Sequence, residues 1–498
     1  MATVVPLSTP ELEAYREETD RFIAEIDEEY YLHYAGHKDT LDLEPIYERH
    51  SELTSLEKAN AVGAAVNGDR RIRELWRFSC SGYMGKLTRE HAERVARLEA
   101  ELKATVDGEE IPYRMLRPTM ANTDDRAKRE RIEHARNELT QEHLLPVYIE
   151  GFEIEHDAVK ALGAPDYVEL HRRLGLRLDE LAEQCRTLLT STEKLYEDAA
   201  DKLFRARVGV GLAEAQRFDV ARLFRAPQWD SSFPKEGMLP ALEATLADWG
   251  IDLYAQPNVE LDVEQREKKS PRAFCAPIEV PGRVVLVIQP IGGVDDWRAL
   301  FHEAGHTEHF AHTSASLEVE ERRLGDNAVT EGWAMLMEHL TGNADWLNRR
   351  LDVPRPREFV AESAAQLLYF VRRYSAKLLY ELELHAAEDP KSMQSRYVEL
   401  LSDAIKIVPS ETDYLADVDS GFYCTEYLRS WAFEAQLSAY LREKFGNAWF
   451  TKRQAGSLIR ELWSEGQRMT ADEMLKDVTG AEIRMDAVAD HAREGIAA

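Results

Sequence analysis

The chain has 498 residues, a net charge of −29 and 44% hydrophobic residues, enough apolar material to bury a core larger than that of one average domain. So strong an acidic excess argues against nucleic acid or anionic membranes as partners and reads as a solubility feature. No apolar run reaches membrane-spanning length. The opening Met1–Leu7 lacks a basic n-region, and Cys80, Cys185, Cys275 and Cys424 form no CxxC pair, so reduced thiols in a cytoplasmic protein are expected.

In chain order, helices dominate. Thr9 is expected to cap the first, with Pro10 at its first helical position. Leu12, Tyr15, Thr19, Phe22, Ile23, Ile26 and Tyr30 then mark an amphipathic stripe. Helical texture continues to about residue 200, with breaks at Gly36, Pro45, Gly68, Asp107-Gly108 and Gly163-Ala164-Pro165. These residues, 1–200, are expected to form an N-terminal helical lobe, and 201–498 a second, site-bearing lobe. The irregular run from Ala226-Pro227 to Gly237 marks a junction near that boundary. Two strands are predicted at about 274–280 and 283–289, joined by Pro281-Gly282, the second carrying the β-branched run Val284–Ile288. An edge at 283–289, if exposed, could pair with an extended peptide. Helices resume to the end, interrupted by a loop at Pro354-Arg355-Pro356.

After the strands come Pro290, Gly292 and Gly293 as a turn, Asp295 or Asp296 as N-cap, and a helix carrying Trp297, Leu300, Phe301 and His302-Glu303-Ala304-Gly305-His306. Positions i and i+4 share a helix face, so one metal ion can take a nitrogen from His302 and another from His306. Glu303 lies close enough to take a proton from an activated water. This is the donor set of a zinc hydrolase, one Zn²⁺ per chain, although Co²⁺ or Mn²⁺ could use the same ligands.

Such a site needs a third ligand and an open position for water. His312 stands where a longer His-rich pattern would place one, but that pattern breaks its helix at a Gly where this chain has His309. Glu331, 25 residues after His306, is preferred on helix geometry. It lies in a second predicted helix, capped by Asp326 or Asn327 and ended by Gly342, with Gly332 beside it to let the two helices approach.

Taken together, His302-Glu303-x-Gly305-His306-x-x-His309 followed by Glu331 and Glu338 resembles the thimet oligopeptidase and oligoendopeptidase F family of zinc metallopeptidases. Lys269-Ser270-Pro271-Arg272-Ala273-Phe274-Cys275 is similar to the edge-strand region that precedes the family's zinc helix. Gly421-Phe422-Tyr423-Cys424-Thr425-Glu426-Tyr427-Leu428 is similar to its C-terminal tyrosine motif. The likeness is strongest over 265–345 and looser over 410–445. One departure is that no His lies between residues 386 and 490, where members carry one ahead of the tyrosines. The resemblance implies a mainly α, zincin-like metallopeptidase with a small β-sheet beside the zinc helix and a deep substrate channel. It also implies oligopeptide substrates, and roles for Glu338 and His309 in orienting the ligands.

On this reading His302, His306 and Glu331 hold the metal, Glu303 is the general base, and Tyr423 or Tyr427 donates to the developing oxyanion. Asp417 and Arg429 are candidates for contacting peptide termini. A zinc carboxypeptidase of related build, which would need a cationic contact such as Arg429, and a helical scaffold with a structural metal are the competing expectations. The sequence leaves the oligomeric state open.

Overall fold

The computed structural model describes residues 5–270 and 272–497; Pro271 and the first four residues, which enter the readings above, lie outside them. The fold is mainly α with two small sheets. Among the described residues no helix is long and apolar enough to cross a membrane, and the four cysteines are free.

Helix α1 (Thr9–Tyr34) begins one residue earlier than expected. Ser8 is the N-cap, its amide donating to the Glu11 carboxylate at 2.8 Å, and Pro10 falls at the second helical position. Leu12, Tyr15, Thr19 and Phe22 are buried as the stripe predicts, but the stripe ends on Tyr31 because Tyr30 turns outward. Ion pairs fix this helix to the segment Val319–Arg322: Arg16 to Glu320 at 2.7 Å and Arg322 to Asp20 at 2.8 Å, with Arg323 to Asp27 at 2.6 Å beside them.

The Asp107-Gly108 break is a hairpin. Strands β1 (Lys103–Val106) and β2 (Glu109–Pro112) pair antiparallel across it, and both turn residues are left-handed (φ 54° and 82°), as a two-residue turn of type I′ requires. Further on come helix α2 (Leu178–Arg207) and the strands β3 (Val259–Asp262), β4 (Phe274–Glu279) and β5 (Arg283–Val287). In the sheet, β5 is central, parallel to β3 and antiparallel to β4. The expected edge at 283–289 is therefore interior: Val284–Val287 are fully buried, which is why their β-branched run has no polar alternation. β3 and β4 are the sheet's two edges; on β4 the Cys275 amide donates to Glu303, and the Pro277 and Ile278 carbonyls accept from Arg323.

Helix α3 (Val294–His312) carries the motif. Its N-cap is Gly293, not Asp295 or Asp296. Gly292 and Gly293 both have φ 91°, a conformation that side chains disfavour, and the Asp296 carboxylate reaches back to accept the amides of Ile291 (2.6 Å) and Gly292 (2.8 Å). Helix α4 (Asn327–Glu338) is capped by Asp326, whose carboxylate accepts the Ala328 amide at 3.1 Å. Burial disfavours charge on Asp326, yet the Arg429 guanidinium at 2.7 Å holds its carboxyl well below the usual range. Helices α5 (Pro356–Ala386), α6 (Cys424–Phe445) and α7 (Asp486–Ala497) complete the surround. α3 packs on α4, α4 on α6, and α5 on α2 and α7. The largest core runs from Ala59 to Val488 and holds five fully buried tryptophans (Trp249, Trp297, Trp333, Trp346, Trp463).

The contact between α3 and α4 depends on Gly305. A Cβ there would lie 2.5 Å from the Ala334 Cα and 2.6 Å from the Trp333 carbonyl oxygen. Gly332, expected to serve this contact, faces the other way: its Cβ would meet Phe433 on α6 at 2.5 Å. Sequence adjacency to Glu331 misled here, because neighbouring helical residues point about 100° apart.

A stack of aromatic rings supports the turn ahead of Tyr423. Tyr167 lies on His385 at 4.0 Å between ring centres, and His156 Nε2 meets His385 Nδ1 at 2.9 Å. The Tyr167 hydroxyl accepts the Gly421 amide at 2.8 Å, and Phe422 packs on His171 and His385. Gly421 (φ 68°) and Phe422 (φ 56°) are both left-handed.

Two outcomes are expected. Gly305→Ala should push backbone against backbone and lower unfolding free energy by about 1–3 kcal/mol, read from the urea midpoint; an unchanged midpoint would mean that the helices are not in this close contact. The second concerns acid. Burial lowers the pKa of His156 to about 4 and of His171 to about 3, from an ordinary 6.5, and lowers that of His385 well below the ordinary value. These rings are neutral in the fold, whereas the unfolded chain takes up protons below about pH 6.5. Their contribution is thus fully present above pH 6.5 and is lost as pH falls toward 4 and then 3. Denaturant titrations from pH 7 to pH 4 should show falling stability, with a shallower slope in His171→Phe; an equal slope in that variant would remove His171 from the account.

Candidate metal centre

Three helices converge on one point. His302 and His306 lie one turn apart on α3, with ring centres 4.9 Å apart. Each ring is fixed through Nδ1: His302 meets the Glu338 carboxylate at 2.9 Å and His306 meets the Thr330 hydroxyl at 2.8 Å. Their Nε2 atoms then face the same Glu331 oxygen, at 3.5 Å and 3.8 Å. Glu331 and Glu338 are seven residues, two turns, apart on α4 and so share its face toward α3. From the N-cap position of α6, the Tyr423 hydroxyl donates to the other Glu331 oxygen at 2.9 Å.

The residues fit a tetrahedral metal ion. One ligand atom from each of His302, His306 and Glu331 lies within 4.8 Å of the others. Donors at ~2.0–2.1 Å around a tetrahedral ion sit ~3.3–3.5 Å apart, close to the separations found. Glu331 is buried, and its histidine-facing oxygen has no hydrogen-bond partner among the described residues. A buried carboxylate oxygen left so is costly unless a cation satisfies it. The two imidazoles differ in their electrostatics. Burial lowers the His306 pKa to about 4, keeping the ring neutral as a ligand must be. Burial opposes charge on His302 as well, but Glu331 and Glu338 outweigh it and raise its pKa well above the ordinary value. Burial also disfavours charge on Glu331, yet the two histidines hold its pKa low.

Glu303 stands apart from the three ligands. Its carboxylate accepts the Cys275 amide of the edge strand β4 at 2.9 Å, and burial pushes its pKa up to about 7. Two hollows open here. One of about 360 Å³ is lined by His302, Glu338, Arg298, Tyr374 and Tyr427, and one of about 610 Å³ by His302, Glu303, Arg298, Arg272 and Ala273. Tyr427 stands on the wall of the first, edge-on to Tyr423 at 5.2 Å and to Tyr374 at 5.6 Å.

Other sequence candidates fall elsewhere. The His312 Nδ1 meets the Glu308 carbonyl oxygen at 2.9 Å and its ring packs on Trp463, because α3 runs unbroken to that residue. His309 is fully buried and outside the cluster. Arg429 binds Asp326 and Asp472, and Asp417 binds Arg373 and the Tyr397 hydroxyl; both are engaged in holding the scaffold. Thr330, Arg298 and the Cys275 amide were not anticipated. A backbone donor leaves no mark in a sequence, and nothing in the spacing distinguishes Thr330 from its neighbours.

No protein-family model and no curated protein matches this chain. Among solved structures it is similar to the crystal structure of a "putative oligoendopeptidase F" from Bacillus anthracis str. Ames, at 16% identity and a TM-score of 0.60, covering 99% of this chain and 86% of that one. The likeness is one of fold. It extends over nearly the whole chain, well beyond the segments that carry the sequence resemblance.

Proposed function

We propose that this chain is a zinc-dependent endopeptidase acting on oligopeptides, with His302, His306 and Glu331 as ligands of one Zn²⁺ per chain. The observation that carries the reading is the meeting of two imidazole Nε2 atoms with an unpartnered buried oxygen of Glu331, beside the edge strand β4. The fold shared with a protein described as an oligoendopeptidase supports it.

Zinc held by His302, His306 and Glu331 would supply Lewis acidity and would lower the pKa of a water there toward neutrality. The chain's own groups do the rest. The edge of β4 accepts an extended peptide as an added strand, aligning the scissile carbonyl beside the metal centre. Glu303, beside His302 on α3, takes a proton from the attacking water and returns it to the leaving amine. The Cys275 amide holds the Glu303 carboxylate in place. Tyr423 anchors Glu331 through the oxygen turned away from the histidines. Tyr427, on the cavity wall, is then the phenol that donates to the developing oxyanion.

Metal analysis and peptide cleavage test these roles together. Glu331→Ala should lose most of its zinc and His312→Ala should keep it. Glu303→Gln should keep full zinc and lose about 100- to 10,000-fold in rate, and Tyr427→Phe should lose about 100-fold in kcat with zinc intact. Undiminished turnover in Glu303→Gln at full zinc would remove the general base from this scheme.

Enclosure sets the substrate size. We take residues 1–200 and 201–498 as lobes walling the cleft, a steric filter that passes extended peptides and stops folded domains, whose radius of gyration at 100 residues is about 13 Å. Peptides blocked at both ends and about 5–20 residues long should be cut internally while folded proteins survive. Cleavage only at a free C-terminus would point to a carboxypeptidase, and internal cuts in a tightly folded protein would contradict the filter.

A further inference from the structure

A second set of ligand atoms lies close to the first. His339 directly follows Glu338 in the 3₁₀ turn that ends α4 (His339–Gly342), Glu434 is on α6 and His491 on α7. One ligand atom of each lies within 4.8 Å of the other two. We propose that His339, Glu434 and His491 form a second site for a divalent transition-metal ion of the Zn²⁺ or Co²⁺ class, facing the same cavity as His302.

Three observations support it. The donors are two imidazoles and one carboxylate, a set that suits borderline ions and leaves a position open. The Glu434 side chain is 2% exposed and has one charged partner, His339 Nδ1 at 2.7 Å. A carboxylate so buried is stabilised by a further cation. The His491 ring lies nearly parallel to His339, 26° between planes and 6.2 Å between centres, which brings a second imidazole to that carboxylate. There is also a way in. The hollow of about 360 Å³ that exposes His302 is lined by His339 and His491 as well, and a neighbouring one of about 200 Å³ by all three residues.

The cluster formed by Glu381, Asp419 and Cys424 lacks this character, because the Lys377 ammonium already stands 2.8 Å from Asp419 and supplies the positive charge.

The site's affinity is limited by a proton. His339 and Glu434 at 2.7 Å are bridged by hydrogen, and an ion with bonds of ~2.0–2.1 Å needs its donors ~3.3 Å apart. The pair must open by about half an ångström and release the proton, so this site is the weaker of the two and fills at neutral to alkaline pH.

The test is a Co²⁺ titration of metal-free full-length protein at pH 8, followed by the visible absorption of the bound ion and by equilibrium dialysis. Wild type should take two equivalents in two phases. His306→Ala should keep one, and His306→Ala combined with His491→Ala should keep none, with helix content unchanged by circular dichroism. Saturation of wild type at one equivalent that His491→Ala leaves in place overturns the proposal. So does a His306→Ala protein that binds no Co²⁺, or one whose remaining equivalent survives His491→Ala. Because the readout is stoichiometry, the result is independent of whether the chain cleaves peptides.

Discussion

The metal centre exists because two helix backbones touch. With hydrogen alone on Gly305, the Ala334 Cα and the Trp333 carbonyl come within reach of α3, and the faces carrying His302, His306, Thr330, Glu331 and Glu338 close on one another. Every distance in the site inherits that contact. Had α4 been held back by one methyl group, the two Nε2 atoms and the Glu331 oxygen would no longer share a point. The cores above and below serve the same end: Phe301 packs edge-on to Trp346 at 5.0 Å, and Trp333 to Phe433 at 5.5 Å, so neither helix can slide.

Several buried carboxylates are held by more than one donor. Asp326 has Arg429, the Ala328 amide and the Ala471 amide, and this anchors the first turn of α4 so that Glu331 has a fixed origin. Asp219 is met by Arg126 and Arg129, and Asp413 by Arg136 and Arg217. Glu74, Glu308 and Glu320 also keep a buried oxygen without a hydrogen-bond partner, but that of Glu331 faces two imidazole nitrogens. A cation there offsets its cost.

Much of this was legible in the chain. The i,i+4 histidines, the β-branched strand before them and the Asp326 cap are local patterns, and local patterns survive into the fold. What failed to show is tertiary. Whether Val284–Ile288 was edge or centre depended on Val259–Asp262, a short strand with no strong signal of its own. Which glycine served the helix contact depended on facing direction, and Gly305 and Gly332 are equally silent about that. Arg429 and Asp417 looked available because their partners, Asp326 and Arg373, are distant in sequence. The Asp107-Gly108 turn did carry its signal, but the helical stretches on either side of it masked four-residue strands.

The ion pairs of α1 bear on how the chain is made. Arg16 and Glu320 are 304 residues apart, and the Asp20 and Asp27 partners, Arg322 and Arg323, lie in the same distant segment. At about 5–20 residues per second, α1 leaves the ribosome on the order of 15–60 s before its docking surface does. Through that interval Leu12, Tyr15 and Phe22 have nothing to cover them but the helices immediately following. Ile46, Leu53, Val62 and Leu75 can cover Tyr15 and Phe22 early, whereas the ion pairs of α1 must wait for Val319–Arg322 and Arg323.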